Sequence, residues 1–151
     1  YTIIPSMQPT HATSDMYWAE ARLGKRIGYA YPTKDLLNQN GIIALGTDFP
    51  VEGIDPLMTF YAAVFRQDLE GYPDGGFLPQ QKLSPKEALK GMTIHAALAQ
   101  FEEDEKGSLE TGKLADIVIL NKDILSASPE DFHTIKVTST FLAGKQVYEA
   151  H

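Results

Sequence analysis

The run Ile42-Ile43-Ala44-Leu45-Gly46 constrains this chain more than any other segment. It is too short for a helix and lacks the alternation of a half-buried strand, so it fits a strand covered on both faces, as in the parallel sheets of α/β folds. A parallel strand needs a neighbour reached through a long crossover, usually helical. The sequence on either side supplies the helices.

Upstream, residues 1–5 form a short apolar run ending at Pro5, which predicts the tail of a buried strand. Residues 6–15 (SMQPTHATSD) have loop chemistry, and Asp15 is placed to cap a helix that Gly24 stops. Thr33 is expected to cap a second helix over 34–40, with Gly41 as its terminator. Beyond the central run, Pro56 marks a helix start, and residues 57–67 are apolar nearly all round, which predicts burial. Residues 68–82 contain GYPDGGFLP and predict a long connection or lid. Ser84-Pro85-Lys86-Glu87 is a capping box with proline at the first helical position. Thr93 is expected to open another helix to about Phe101, followed by a solvated charged connector over 102–106.

The pattern then changes to strands over 115–120, 135–142 and 146–149, the last two joined as a hairpin across Ala143-Gly144-Lys145. The expected architecture is therefore an α/β part over residues 1–106 and a small β part over 107–151. Two strand–helix units are too few to close a barrel or a doubly wound sheet. The chain opens at Tyr1 on apolar β-formers, without Met or a signal peptide, and so reads as a piece of a longer protein.

Charge narrows the function classes. Twenty acidic against 13 basic side chains leave a net charge of −7, and no Lys/Arg run offers a basic face, which argues against a nucleic-acid partner. No apolar stretch reaches the ~20 residues of a membrane span. The absence of cysteine removes disulfides, thiolate nucleophiles and Cys-ligated zinc together, and suits cytosol and periplasm equally.

Asp48 is the strongest candidate for chemistry. It directly follows the apolar strand, at the carboxyl end where α/β folds gather catalytic groups. A carboxylate there can ligate a metal or act as a general base; the plain alternative is an Asx turn or a cap. His11, after the first strand, projects toward the same end as a metal ligand, an orienting partner or a substrate clamp, unless it is an ordinary polar loop residue. His95, His133 and His151 lack partners at ligand spacing. Asp15, Arg22, Arg26 and Arg66 could line a polar pocket or serve as caps and helix-surface charges. The sequence has no His-x-His, no HExxH, no phosphate-binding glycine loop and no G-x-S-x-G.

Several segments together carry a resemblance. SMQPTH (6–11) and GTDFPVE (46–52), then SPKEALKGMTIHAALA (84–99), GSLETGKLADIVIL (107–120) and TSTFLAGKQVYE (138–149), follow in the order seen in the C-terminal region of the amidohydrolase superfamily. They most resemble the branch containing N-substituted formamide deformylase and YtcJ-like hydrolases. The resemblance implies the last two strand–helix units of a (β/α)8 TIM barrel, followed by strands of a small β-sandwich. It further implies one or two divalent metals, usually zinc, and hydrolysis of C–N bonds in small amide-type substrates by metal-activated water. Asp48 matches the family's metal-binding, proton-accepting Asp after the eighth strand. His11 matches a QPxH position, read as substrate-facing or oxyanion-stabilising. The remaining ligands would lie upstream of Tyr1, so the segment alone is expected to be inactive.

Two other readings stand beside this one: a non-catalytic interaction or capping domain of the same fold, and an Asp phosphoacceptor module, for which the clustered carboxylates that hold Mg²⁺ are missing after the first strand. An excised segment would also expose apolar surface that its missing barrel strands should cover, which predicts self-association.

Overall fold

The structure, a computed structural model, describes residues 3–150. The central apolar run does form a parallel strand, although a short one. β1 (Ser6–Met7) pairs in parallel with β2 (Ala44–Leu45), Ser6 opposite Ala44 and Met7 opposite Leu45. Two flanking bonds extend the ladder: Ala44 N–H donates to the Pro5 carbonyl at 2.9 Å, and Gly46 N–H to the Met7 carbonyl at 3.1 Å. Ile43, Ala44 and Leu45 are all buried, as a doubly covered strand requires.

The first strand sits later than expected. Of the residues assigned to it, Tyr1 and Thr2 lie outside the described residues, and 3–5 are irregular; pairing falls on Ser6 and Met7, whose neighbours read as loop. Polar composition gave way to the register imposed by β2. A second correction follows at once. α1 (Pro9–Leu23) starts within the predicted loop, because proline at the first helical position has the right φ and no N–H to satisfy. Asp15 is thus inside the helix rather than its cap, and His11 lies in the first helical turn.

α2 (Thr33–Asn40) ends on Gly41 at φ 77°, as its sequence predicts, but Thr33 is not its cap. The Thr33 hydroxyl donates to the Gln81 carbonyl at 2.6 Å, while Gln81 Oε1 accepts the N–H groups of Lys34 (3.0 Å) and Asp35 (3.2 Å). A short 3₁₀ turn, Pro79–Gln81, therefore caps α2 from across the fold. α3 (Pro56–Phe65) is capped by Asp55, whose carboxylate accepts the Leu57 N–H at 2.9 Å, and buries every residue from Thr59 to Val64. In α4 (Pro85–Met92) the capping box is complete: Ser84 Oγ accepts from Glu87 N–H, and Glu87 Oε2 from Ser84 N–H. Thr93 does not cap α5 (Ile94–Ala99); it joins the two helices, with its hydroxyl donating back to the Leu89 carbonyl at 2.7 Å.

β3 (Ile117–Leu120), β4 (Val137–Leu142) and β5 (Lys145–Glu149) form an antiparallel sheet in that order. The β4–β5 hairpin turns through Ala143 and Gly144, both at positive φ (49° and 80°), the twist that tight hairpins favour. One helix is additional to those the sequence predicts. α6 (Pro129–Phe132) starts at Ser128, whose hydroxyl accepts the Asp131 N–H at 3.2 Å, a Ser-Pro start like that of α4. It delivers Phe132, 1% exposed, onto α3: the ring stacks on Phe60 at 6.0 Å and tilts against Tyr61 at 5.1 Å. Phe132 and Ile135 thus share one core with Leu37, Ile43, Leu45, Phe60 and Leu83. That core fixes β2, and with it the strand end that carries Asp48.

Candidate functional site

The parallel pair brings the two candidate side chains together. Asp48 follows β2 and His11 follows β1, so both leave the same end of the ladder. His11 Nε2 lies 3.3 Å from Asp48 Oδ2, with the two side chains 30% and 44% exposed. The contact is close but misaligned: Nε2 is shielded from solvent and makes no hydrogen bond. Next to it, the Thr10 hydroxyl is also buried without a partner. Such groups lose their water without regaining a bond, which costs about 1–3 kcal/mol each unless something else engages them.

The local turn does not use the Asp48 carboxylate. Thr47 Oγ1 accepts the Phe49 N–H at 3.3 Å, and the Asp48 carbonyl accepts the Val51 N–H at 2.8 Å. Among the described residues, no hydrogen bond occupies the carboxylate itself. Its backbone stands at φ 58°, an uncommon conformation for a residue with a Cβ. The result is a carboxylate held at a strand end, partly open, with an imidazole beside it.

The other candidates separate into two groups. Arg22 and Arg26 are exposed. His95 Nδ1 accepts the Ile43 N–H at 3.5 Å, and its pKa is lowered, chiefly by burial and further by Lys90. His133 lies beside the Tyr61 ring, at 6.3 Å between centroids, and His151 falls outside the described residues. Asp15 and Arg66, by contrast, belong to a network reading the sequence missed. The Tyr31 hydroxyl donates to Asp15 Oδ2 at 2.6 Å, and the buried Arg66 donates from Nη1 to the Tyr31 carbonyl at 3.3 Å and from Nε to the Phe77 carbonyl at 2.9 Å. Only the unusual Arg at the end of an apolar helix hinted at it.

The donor set fits part of a metal site. Asp48 offers a free carboxylate, but no group of three or more His, Asp or Glu side chains among the described residues could hold an ion. Zinc normally takes three or four protein ligands, so any such centre draws most of them from elsewhere.

Comparison with known proteins agrees with the residue-level resemblance. Residues 2–148 match the model of the amidohydrolase family. The chain is 36% identical over 148 residues to the Arabidopsis thaliana protein LONG AFTER FAR-RED 3, covering 97% of this chain and 25% of that protein. It is 31% identical to the putative amidohydrolase YtcJ of Bacillus subtilis (95% and 27% covered) and 28% identical to N-substituted formamide deformylase of Arthrobacter pascens (79% and 21%). Among solved structures, an uncharacterized metal-dependent hydrolase from Pyrococcus horikoshii superposes with a TM-score of 0.74 at 32% identity, over 85% of this chain and 26% of that one. The chain thus spans about a quarter of the length of the relatives it matches. With the family model covering almost every residue, and with parallel strand ends in an α/β fold presenting His11 and Asp48, this chain belongs to the amidohydrolase family.

Proposed function

We propose that the chain works as the C-terminal part of a metal-dependent hydrolase acting on C–N bonds of amide type. In this reading residues 1–106 are the last two strand–helix units of a (β/α)8 barrel, and residues 107–151 are strands of its small β-sandwich. The observation that carries it is the His11–Asp48 pair at the carboxyl ends of two parallel strands, 3.3 Å apart. Support also comes from a relative whose name is N-substituted formamide deformylase and a structural neighbour described as a metal-dependent hydrolase.

Asp48 would hold a divalent metal, zinc in this proposal, with the other ligands supplied by preceding barrel strands. When bound, the metal lowers the pKa of water toward ~7 and polarises the amide carbonyl. Asp48 accepts the proton of the attacking water on a carboxylate oxygen and delivers it to the leaving amine nitrogen, so that amide and water become carboxylic acid and amine. His11 turns its free Nε2–H toward the developing oxyanion, the kind of preorganised donor whose loss costs about 10²–10³ in rate.

Crystals of the longer, zinc-loaded chain test this through anomalous scattering at the zinc edge. A peak about 2.0–2.2 Å from an Asp48 carboxylate oxygen is expected. A zinc site elsewhere, with Asp48 pointing away from it, rejects the reading.

A further inference from the structure

Arg66 is the least expected side chain in the molecule. It is 0% exposed, closes α3 in a left-handed conformation (φ 59°), and has no carboxylate partner among the described residues. Burial pushes its pKa down to about 10, with Tyr31 opposing. Its Nη2 makes no hydrogen bond among the described residues. A buried charge left unpaired is costly, so the two bonds it does make, to the carbonyls of Tyr31 and Phe77, need to matter.

Tyr31 is strained in its turn. Its backbone stands at φ 48°, its ring lies 6.1 Å from Phe77, and its hydroxyl donates to Asp15 Oδ2 at 2.6 Å. Burial and that hydrogen bond both raise the Tyr31 pKa, which keeps the hydroxyl a donor. Asp15 sits on α1 four residues after His11, so the two side chains share a face, about 5–6 Å apart at Cβ. Of the six non-glycine residues at positive φ among the described residues, three, Tyr31, Asp48 and Arg66, belong to this network or to the site it adjoins, while Leu78, Phe101 and Ala143 do not. Strain of this kind persists where surrounding contacts over-determine it and clusters at functional sites.

We propose that Arg66, Tyr31 and Asp15 form a strap from the end of α3 to α1 that sets the first turn of α1 beside the turn that follows β2, making them positioning residues for His11 over Asp48. The proposal rests on the hydrolase reading for its purpose, but its geometry can be tested separately. Arg66 fixes the Tyr31 turn through the carbonyl, the Tyr31 hydroxyl fixes Asp15, and Asp15 fixes the height and rotation of the turn bearing His11. Nothing in the strap touches substrate. Its effect reaches the chemistry through the placement of one imidazole.

Tyr31→Phe removes the hydroxyl and keeps the ring on Phe77. Asp15→Asn keeps an acceptor for that hydroxyl, and Asp15→Ala does not. In the full chain, amide hydrogen exchange followed by mass spectrometry should rise about tenfold over residues 9–16 in Tyr31→Phe and Asp15→Ala, stay near the parent value in Asp15→Asn, and leave α3 and α4 unchanged. Crystal structures of the two disrupted variants should show the His11–Asp48 spacing widened beyond the 3.3 Å of the parent. With a simple N-alkylformamide as probe, kcat should fall about 10–100-fold with KM nearly constant, and Asp15→Asn should recover most of it. Parent-like exchange and spacing in Tyr31→Phe overturn the strap, as does exchange that rises evenly over the whole chain, which marks a purely structural bond. If Tyr31→Phe fails to fold, the contrast between Asp15→Asn and Asp15→Ala decides by the same criteria. Failure of the hydrolase reading shows separately, as undiminished amide hydrolysis in Asp48→Ala, whatever the exchange data give.

Discussion

Gly91→Ala tests how tightly the helix layer fixes the strand that carries Asp48. Gly91 lies near the end of α4, where a Cβ would stand 2.7 Å from Leu45 Cγ, 2.8 Å from Leu45 Cδ1 and 3.2 Å from the Ile43 carbonyl oxygen. Carbon–carbon contacts prefer about 3.5–4.0 Å, so Leu45 must retreat by roughly 1 Å. It is 7% exposed and enclosed, and the Ile43 carbonyl is backbone that no rotamer change can move. Two effects oppose. Alanine gains about 1 kcal/mol in helix propensity over glycine, while overpacking a filled core costs about 1–3 kcal/mol. The expected net result is a loss of about 1 kcal/mol in urea denaturation followed by far-UV circular dichroism. Leu45→Ala alone should cost about 2–5 kcal/mol. In the double variant the new methyl fills part of the space left by Leu45, so the two losses should fall short of additivity by about 1 kcal/mol or more. A Gly91→Ala protein stabilised by the full propensity gain, or two changes that simply add, would refute the claim that α4 presses on β2 here. The functional corollary is that a displaced Leu45 shifts Asp48, three residues on.

Two further outcomes follow from the packing and the charges. Phe132→Ala removes the ring that α6 inserts between Phe60 and Tyr61, and should destabilise the chain by about 3–5 kcal/mol in the same denaturation assay; a loss under about 1 kcal/mol means that residues 107–151 do not brace α3. For Glu87, burial favours the neutral form, but the Lys34 ammonium at 2.6 Å and the Ser84 N–H and hydroxyl outweigh it and hold the pKa below the usual carboxylate range. The unfolded chain then binds the Glu87 proton more readily than the folded one, so the contribution is full above about pH 4.3 and fades as pH falls through the lower folded value. Glu87→Gln should therefore flatten the acid limb of a stability–pH profile in that window, and an unchanged limb contradicts the assignment.

What the sequence made legible depended on how local its cause was. The capping box at Ser84–Glu87 and the left-handed stop at Gly41 each depend on a few neighbouring residues and stand where they are expected, and the apolar run over 42–46 does hold a buried parallel strand, confined to Ala44–Leu45. The errors have non-local causes. α2 is capped by Gln81, forty-eight positions from Thr33, and no local pattern announces a cap in trans. β1 falls on Ser6-Met7 because β2 sets the register, overriding polarity that reads as loop. The start of α1 does have a local cause, since Pro9 is a proper first-turn signal, but the Thr and Ser around it carry loop chemistry that masks the helix.

The site shows the same division. Asp48 is legible as a candidate because its place after an apolar strand is a local fact, and His11 because it follows the partner strand. Their 3.3 Å approach needs the parallel pairing itself. From the sequence Arg66 reads as one more helix-surface charge, and only the fold shows it buried with two carbonyl acceptors.

The most direct test of the account is the turnover of Asp48→Ala in the longer chain that the proposed function requires, loaded with zinc and supplied with an N-alkylformamide, with folding checked by circular dichroism. In the proposed mechanism Asp48 both binds the metal and carries the proton, so its removal should lower kcat/KM by at least about 10³ while the folded signal and melting behaviour stay close to the parent. A folded Asp48→Ala protein that turns over the amide within about tenfold of the parent would remove Asp48 from the mechanism and contradict the central claim.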